Sequence, residues 1–340
     1  MSDRVLVTGI SGYLGGHLAL QLLAAGHTVR GSVRNLNKAQ QVRDTLGRHG
    51  ADLEQLELVE LDLCDDAGWS EAMQGVRILQ HVASPFVTAM PRDPNELIVP
   101  AVEGTRRALE AAFAGGVERV VLTSSLAAVM YGHPKARTNP FTAADWTDLG
   151  GRGTNAYIQS KTRAERTAWD IAERLGRSRD LAVINPGAIL GPLLDDDPGT
   201  SAAVVLRMLR GNVPMVPNLS LVLIDVRDVA ALHVAAMAAP TAGGRRFPAG
   251  NGTFSLMEIT DMLRAAVPER AAKLPRRKAP DLLVRILGML DRDIRGNLAE
   301  IGVRKQVDAS DARELLGRPF TDAADAVAAT GRSILDRGLA

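Results

Sequence analysis

Short apolar segments alternate with longer amphipathic segments through the first half of the chain. The first three are an apolar run at 4–9, a helical pattern at 15–26 that ends in glycine, and a second apolar run at 27–33. Short apolar runs predict buried strands, and apolar residues spaced three and four apart predict helices. The N-terminal pattern therefore predicts a strand–helix–strand unit.

The same alternation continues to about residue 187. Further apolar runs predict strands at 56–63, 76–83, 117–125 and 180–187, and helical patterns such as 102–116 lie between them. Strands that alternate with helices imply a parallel sheet covered by helices on both faces. The predicted fold class is α/β, a Rossmann-type doubly wound parallel sheet.

After Gly187 this regular alternation is lost. Segments rich in proline and glycine follow at 191–200, 211–218 and 239–253. Short helical patterns separate them, which predicts a smaller second lobe. We expect 1–187 to form the Rossmann domain with 221–240 returning to it, and 188–220 and 241–340 to form a substrate-binding lobe.

Composition and charge exclude several classes of partner. Of the 340 residues 46% are hydrophobic, and 40 Lys and Arg against 39 Asp and Glu leave a net charge of +1. This balance offers no positive surplus for nucleic acid or an anionic membrane surface. Cys64 is the single cysteine, which excludes an internal disulfide and fits a reducing compartment.

The chain shows neither a signal peptide pattern nor an uninterrupted apolar stretch that could span a membrane. Its longest apolar stretch, 181–194, is interrupted by Asn, Pro and Gly. We expect a soluble, cytoplasmic monomer or homodimer. The six histidines have no metal-ligand spacing, so no metal is expected.

A glycine-rich loop joins the first strand to the first helix. Its sequence, TGISGYLGG, places Gly9, Gly12 and Gly15 three residues apart, with Tyr13 and Leu14 between them. Because glycine lacks Cβ, backbone amides and the helix N-terminus can approach a pyrophosphate. The loop predicts a dinucleotide site made by these five residues; the alternative is a loop that needs only a positive φ.

The second predicted strand selects between the two nicotinamide dinucleotides. NAD-binding folds place an Asp or Glu about 20 residues beyond the glycines, on the ribose 2′-hydroxyl. In this chain the second strand and the residues after it contain no Asp or Glu before Asp44. Arg34 can bind a 2′-phosphate instead, with Lys38 or the weaker candidate Arg30 adding charge. The expected cofactor is NADP(H); the alternative is that these cations form an ordinary solvated face.

Tyr157 and Lys161 lie four residues apart in the segment TNAYIQSKTRAE, 154–165. Residues at this spacing share one face of a helix, and their side chains meet. Taken alone, the pair could equally be a half-buried aromatic beside a solvated lysine. The other segments of the chain decide between these interpretations.

Four segments in this order, TGISGYLG, LTSSLAAV, YIQSK and INPGAILGP, make the chain resemble the extended short-chain dehydrogenases/reductases. The resemblance is strongest to the dihydroflavonol reductase-like branch, which includes cinnamoyl-CoA reductases and microbial aldehyde and ketone reductases. It covers nearly the whole length. It implies an NADPH-dependent carbonyl reductase that acts by reversible hydride transfer.

The resemblance assigns roles to Ser125, Tyr157 and Lys161. Tyr157 is the acid–base, Lys161 supports it and binds the nicotinamide ribose, and Ser125 orients the substrate oxygen. A tyrosine titrates near pH 10, so work near neutrality requires its pKa to fall by about two to three units. A cation about 4 Å away supplies about that much at an effective dielectric near 20.

The resemblance also implies weaker cofactor contacts along the sheet edge. It places Asp62 and Leu63 at the adenine, Val82, Ala83 and Ser84 along the cofactor, and Pro186, Gly187 and Ile189 around the nicotinamide. An aspartate after a strand can equally cap a turn, which is the alternative for Asp62.

Departures from the relatives limit the substrate. Cinnamoyl-CoA reductases have Asn-Trp-Tyr-Cys-Tyr-Gly-Lys where this chain has NAYIQSK, which argues against a CoA thioester. Met130 stands where plant dihydroflavonol reductases are expected to carry a polar, substrate-reading residue, which argues against a flavonoid. We expect an apolar small-molecule aldehyde, ketone or alcohol, with bulky carbonyl compounds preferred, contacted by Ser125, Met130 and Tyr157.

Three alternative functions stay open at this point. Hydroxysteroid dehydrogenases and nucleotide-sugar epimerases or dehydratases of the same family also keep the tyrosine and the lysine. The missing acid after the second strand argues against a tightly held NAD. A non-catalytic NADP-sensing protein is the third alternative, but such proteins commonly lose the tyrosine or the lysine.

Overall fold

The structure is a computed structural model, and it describes residues 3–85 and 91–340. The described part contains ten strands: β1 (Arg4–Thr8), β2 (Thr28–Val33), β3 (Leu56–Glu60), β4 (Ile78–His81), β5 (Arg119–Thr123), β6 (Leu181–Pro186), β7 (Ala188–Leu190), β8 (Ser220–Asp225), β9 (Arg245–Ala249) and β10 (Thr253–Ser255).

The same residues form twelve α-helices. They are α1 (Tyr13–Ala24), α2 (Ala39–Arg48), α3 (Trp69–Ala72), α4 (Asn95–Ala114), α5 (Ala156–Arg174), α6 (Gly199–Leu209), α7 (Val226–Ala238), α8 (Leu256–Ala266), α9 (Asp281–Leu290), α10 (Arg292–Asn297), α11 (Ser310–Leu316) and α12 (Ala323–Asp336).

Seven parallel strands form the larger sheet, in the order β3-β2-β1-β4-β5-β6-β9. Val5 of β1 pairs with Val29 of β2 on one side and with Ile78 of β4 on the other. The strand order reverses at β1, and ligands of open α/β sheets bind at the carboxyl ends of strands beside such a reversal. The predicted doubly wound fold is confirmed.

The core lies on both faces of this sheet, because successive side chains of a strand point to opposite faces. Val5 and Val7 pack against α1 and α7, in a cluster with Leu18 and Val229. Leu6 points the other way, into a cluster with residues of α4 and α5. The helix that carries the predicted acid–base pair is thereby fixed to the sheet.

β9 lies where the sequence predicted the substrate lobe. It pairs in parallel with β6, with Pro248 opposite Asn185, and forms the edge of the larger sheet. Proline has no N–H to donate to a neighbouring strand, but it is tolerated in an edge strand because only one side of that strand is hydrogen-bonded. A segment whose sequence resembles a Pro- and Gly-rich loop is therefore a strand here. The prediction that all of 241–340 belongs to the lobe is wrong at this strand.

A second sheet is smaller, with three strands in the order β10-β8-β7. Its neighbours α6, α8 and α12 share one apolar cluster, which includes Val205, Leu263 and Val327. β8 overlaps the 221–240 segment expected in the Rossmann domain but pairs in the smaller sheet, whereas α7 from the same segment packs on α1. The exact division into two domains stays a prediction. Every helix within 3–85 and 91–340 is too short or too polar to cross a membrane.

Candidate active site

The glycine loop can be built only with glycine at two of its positions. Gly9 has a φ of +70°, and a Cβ there would lie 3.0 Å from the Cα of Ala83. A Cβ at Gly15 would lie 2.1 Å from the carbonyl oxygen of Gly9, far inside van der Waals contact. The Gly12 amide donates to the same oxygen at 3.0 Å. The loop therefore holds its backbone close to the N-terminus of α1.

A buried hydroxyl fixes this loop to the end of β4. The amides of Val82 and Ala83 donate to Thr8 Oγ1 at 3.0 Å each, and Thr8 Oγ1 lies 3.0 Å from His81 Nδ1. Since the oxygen already accepts two bonds, its one proton goes to the ring nitrogen. His81 is therefore neutral, in agreement with burial and the charge of Lys161, which lower its pKa to about 4.

The residues at the start of α1 fit a dinucleotide phosphate through their backbone. No described side chain caps the helix, and its first turn contains no acidic residue. The Leu14 side chain is 7% exposed in the core. The Tyr13 hydroxyl is buried near Gly191, and burial raises its pKa. Both side chains therefore face away from the loop, which leaves the amides for an anion.

The three cations after β1 have different surroundings. Arg34 is exposed and forms no ion pair within the described part of the chain. Lys38 lines a cavity together with Ser11 and Gly12 of the glycine loop. These two cations are free to meet a phosphate.

Arg30 is not free in this way. It is 8% exposed, donates to Glu57 at 2.8 Å, and donates to the carbonyl oxygens of Ala72 at 2.7 Å and Gln74 at 3.0 Å. These bonds use its guanidinium to join β2 to β3, to the last residue of α3 and to the turn after it. The suggestion that Arg30 adds charge at the cofactor is wrong.

Asp62 and Leu63 follow β3 and are half-buried. The Cys64 amide donates to Asp62 Oδ1 at 2.8 Å, so the carboxylate does stabilise a turn. Leu63 packs against Gly104 of α4, where a Cβ would lie 2.8 Å from its own. The adenine contact stays a prediction for both residues. The contact of half-buried Ser84 with the cofactor also stays a prediction.

Ser125, Tyr157 and Lys161 come together at the carboxyl end of the larger sheet. Ser125 follows β5, and its Oγ accepts from the Ala127 amide at 3.1 Å, which starts a single helical turn. Tyr157 and Lys161 lie in the first two turns of α5, which Asn155 caps. Lys161 Nζ is 5.9 Å from the centre of the Tyr157 ring. The shared helix face predicted for this pair is confirmed.

The pKa of Tyr157 differs from the sequence prediction. Burial raises it, and the adjacent Ser125 hydroxyl opposes that rise. The residue is nevertheless 38% exposed, so water reaches part of it. Burial lowers the pKa of Lys161 to about 8. The pKa of Tyr157 therefore lies above its ordinary value in this structure, opposite to the expected fall, because burial outweighs the Ser125 hydrogen bond.

The predicted nicotinamide segment lies beside Ser125. Asn185 Nδ2 donates to the Ser125 carbonyl oxygen at 3.3 Å, and Pro186 ends the same strand. A Cβ at Gly187 would lie 2.3 Å from the Val222 carbonyl oxygen, so only glycine fits where β6 passes to β7. Ile189 is half-buried in β7.

Met130 is 7% exposed and packs in an apolar cluster with Leu126, Phe141 and Val222. Its neighbour Tyr131 also belongs to this wall, and Lys305 Nζ lies 3.8 Å from the centre of its ring. The structure thus places Met130 in an apolar wall next to Ser125 with little free surface. Its contact with substrate stays a prediction.

Sequence reasoning missed two charged residues beside this site. Glu165 lies four residues after Lys161, and its carboxylate accepts from Arg246 Nε at 2.5 Å. The i, i+4 spacing from Lys161 was a signal that could have identified Glu165. No local signal could have identified Arg246, which is 81 residues away in β9.

With this geometry established, comparison with known proteins identifies the family. Residues 5–250 match the NAD dependent epimerase/dehydratase family. The chain belongs to this family. The resemblance to extended short-chain dehydrogenases/reductases is thereby confirmed.

Curated relatives of this family member include two plant enzymes. The chain is 35% identical over 287 residues to cinnamoyl-CoA reductase CAD2 of Medicago truncatula, which covers 83% of the chain and 85% of the relative. It is 33% identical over 273 residues to tetraketide alpha-pyrone reductase 2 of Arabidopsis thaliana, covering 78% and 83%. Both relatives are named as reductases.

Two solved structures share the fold of this chain over nearly its whole length. Yeast methylglyoxal/isovaleraldehyde reductase Gre2, complexed with NADPH, covers 99% of the chain and 100% of its own with a TM-score of 0.80; at 24% identity it supports the fold. Gre2 of Candida albicans, also in complex with NADPH, has a TM-score of 0.80 at 25% identity and covers 98% and 99%.

Proposed function

We propose that this protein is an NADPH-dependent reductase of aldehydes and ketones. The observation that carries the proposal is the meeting of Ser125, Tyr157 and Lys161 at the carboxyl end of the sheet, with the glycine loop two strands away across β4. The named reductases among its relatives support the oxidoreductase class. The Gre2 complexes support NADP(H) as the cofactor.

The chain's own residues supply a proton and an orientation. NADPH, when bound, supplies the hydride that adds to the carbonyl carbon. Tyr157 donates its proton to the carbonyl oxygen, and its raised pKa keeps that proton available at neutral pH. Ser125 hydrogen-bonds the same oxygen, so the two hydroxyls orient the carbonyl. The product is the alcohol, and Tyr157 regains a proton from solvent.

Lys161 holds its positive charge beside Tyr157. Its proposed partner is the nicotinamide ribose, and its charge also favours the tyrosinate that forms when the proton leaves. The amides at Gly12, Tyr13 and Leu14 bind the pyrophosphate, while Arg34 and Lys38 bind the 2′-phosphate. This division gives each end of the cofactor its own set of residues.

The substrate class is proposed from the apolar cluster beside Ser125. Leu126, Met130 and Val222 pack together there and are each 7% exposed or less. We therefore propose apolar aldehydes and ketones over phosphorylated or nucleotide-linked sugars. The cinnamoyl-CoA reductases have a different sequence around their tyrosine, and so a free carbonyl compound is proposed rather than a CoA thioester.

The experiment is a panel of carbonyl compounds assayed with NADPH and NADH in parallel. The panel includes aliphatic and aromatic aldehydes, ketones, a ketosteroid, a CoA thioester and a nucleotide sugar. The proposal expects the highest kcat/KM with NADPH and an apolar aldehyde or ketone. Turnover confined to the steroid or the nucleotide sugar would assign one of the alternatives, and cofactor binding with no turnover would favour a sensor.

A further inference from the structure

A buried carboxylate lies on the catalytic helix one turn beyond Lys161. Glu165 is 1% exposed. Side chains from four places in the fold donate to its two oxygens: Ser124 Oγ at 2.5 Å, Arg246 Nε at 2.5 Å, Asn185 Nδ2 at 2.6 Å and, more weakly, Trp169 Nε1 at 3.5 Å. Glu165 therefore joins α5 to the ends of β5 and β6 and to β9.

Arg246 extends this junction to the turn that carries Ser125. It is 7% exposed, and its Nη1 donates to the carbonyl oxygens of Ala143 at 2.9 Å and Asp145 at 2.6 Å. Its Nη2 donates to the carbonyl oxygen of Ala128, in the turn after Ser125, at 3.4 Å. One guanidinium thus fixes both that turn and the loop packed against it.

Asn185 makes the second connection to Ser125. Its amide nitrogen donates to Glu165 at 2.6 Å and to the Ser125 carbonyl oxygen at 3.3 Å. The residue before Ser125, Ser124, also donates to Glu165. Hydrogen bonds therefore connect both the Ser124 side chain and, through Asn185, the Ser125 carbonyl oxygen to Glu165 on the helix that carries Tyr157.

Stability alone does not account for this arrangement. A buried ion pair stabilises a fold no better than well-packed apolar side chains of similar volume, because both charges lose their hydration. What the pair adds is direction, since each hydrogen bond fixes one group at one angle.

We propose that Glu165, paired with Arg246, is a positioning residue that holds Ser125 at the angle where its hydroxyl and that of Tyr157 meet one carbonyl oxygen. The proposal rests on the function proposed above for Ser125. It assigns Glu165 no contact with substrate or cofactor.

Glu165→Gln tests the proposal with a side chain of the same shape. Each of the four neighbours is a hydrogen-bond donor, so the new amide nitrogen faces donors and Arg246 loses its counter-charge. Displacement of a reacting group by about 1 Å costs about 10²-fold in rate. We expect kcat for carbonyl reduction to fall by about that factor, with the NADPH dissociation constant unchanged.

A control breaks another ion pair that a buried arginine makes in the same sheet. Glu57→Gln removes the partner of buried Arg30 between β2 and β3, away from Ser125. This control is expected to keep the wild-type kcat. Thermal unfolding of both variants checks that each one folds.

The closing experiment is a double-mutant cycle on kcat with Ser125→Ala and Glu165→Gln. If Glu165 acts through Ser125, the double variant is no slower than Ser125→Ala alone. If the two losses multiply, Glu165 acts elsewhere and the proposal is overturned. If Ser125→Ala keeps the wild-type kcat, the role proposed for Ser125 fails first, which is a distinct result.

Should Glu165→Gln not fold, Ser124→Ala replaces it in the cycle; a full wild-type kcat in Ser124→Ala overturns the proposal.

Discussion

The two ends of the proposed cofactor site are built in opposite ways. At the nicotinamide end, buried hydrogen bonds fix the backbone around Ser125, and burial lowers the pKa of Lys161 to about 8. At the 2′-phosphate end, Arg34 and Lys38 are exposed. Groups that transfer a proton need one fixed geometry, whereas groups that recognise a charge can move toward it. The comparison predicts different losses at each end.

Tyr157→Phe gives the largest expected effect. It removes the transferable proton and leaves the ring in place, so kcat for reduction should fall by about 10²- to 10⁴-fold while NADPH affinity changes little. Stopped-flow turnover and fluorescence titration with NADPH measure the two quantities. Tyr131→Phe is the matched control, because it also removes a tyrosine hydroxyl and keeps the ring that packs under Lys305. A Tyr157→Phe enzyme with most of its kcat would remove the acid from the proposed site.

Arg34→Ala should change the opposite parameter. A charge-assisted contact with the 2′-phosphate contributes about 1.5 to 3 kcal/mol, so the NADPH dissociation constant should rise about tenfold to a hundredfold. NADH has no phosphate there, and its affinity should hardly change. Calorimetry with both dinucleotides measures the difference. Equal weakening of both would show that Arg34 does not recognise the phosphate.

The buried end should also be the acid-sensitive end. His233 lies between Thr123 and Gln80, and burial lowers its pKa to about 3. The folded state keeps this ring neutral, whereas the unfolded chain binds a proton below about pH 6.5. Its contribution is therefore complete above that pH and is lost as the pH falls. Between about pH 7 and 5 the loss is about 2 kcal/mol.

Urea unfolding of wild type and His233→Gln at the two pH values measures this contribution. The free energy of unfolding of the variant should fall less on acidification, by about 2 kcal/mol. An identical fall in both proteins would mean that His233 is not held neutral. The variant's lower stability at neutral pH does not enter the comparison, because only the change with pH is used.

The smallest predicted effect concerns the pH profile of kcat/KM for NADPH. Lys161 has a pKa lowered to about 8 by burial, so its charge is present below that pH and is lost above it. If the charge holds the ribose, kcat/KM falls up to about tenfold per pH unit above about pH 8. Lys161→Arg, which keeps its charge, should lose this descending limb. A limb at the same pH in the variant would assign it to another group.

Much of this site was predictable because its signals are local. The glycine loop, the first six strands and the Tyr157–Lys161 pair each rest on residues within a few positions of one another. β9 was missed because Pro248 and the neighbouring glycines resemble a loop. The role of Arg30 was missed because a strand pattern does not show which carboxylate or carbonyl a cation meets.

The direction of the Tyr157 pKa shift needed the fold as well. The spacing shows the lysine one turn away, but the burial that raises the pKa of Tyr157 comes from segments far apart in the chain. The same holds for Glu165, whose strong partners lie on β6, on β9 and after β5. Quantities that depend on burial or on long-range contacts cannot be read from spacing.

Transfer of deuterium to the best carbonyl substrate tests the central claim most directly. NADPH deuterated at both C4 positions is incubated with wild type, and the product alcohol is analysed by mass spectrometry and NMR. The account predicts one deuterium on the former carbonyl carbon, and strongly reduced product formation with Tyr157→Phe. An alcohol formed without deuterium on that carbon, or equal product from Tyr157→Phe, would contradict hydride transfer assisted by this tyrosine.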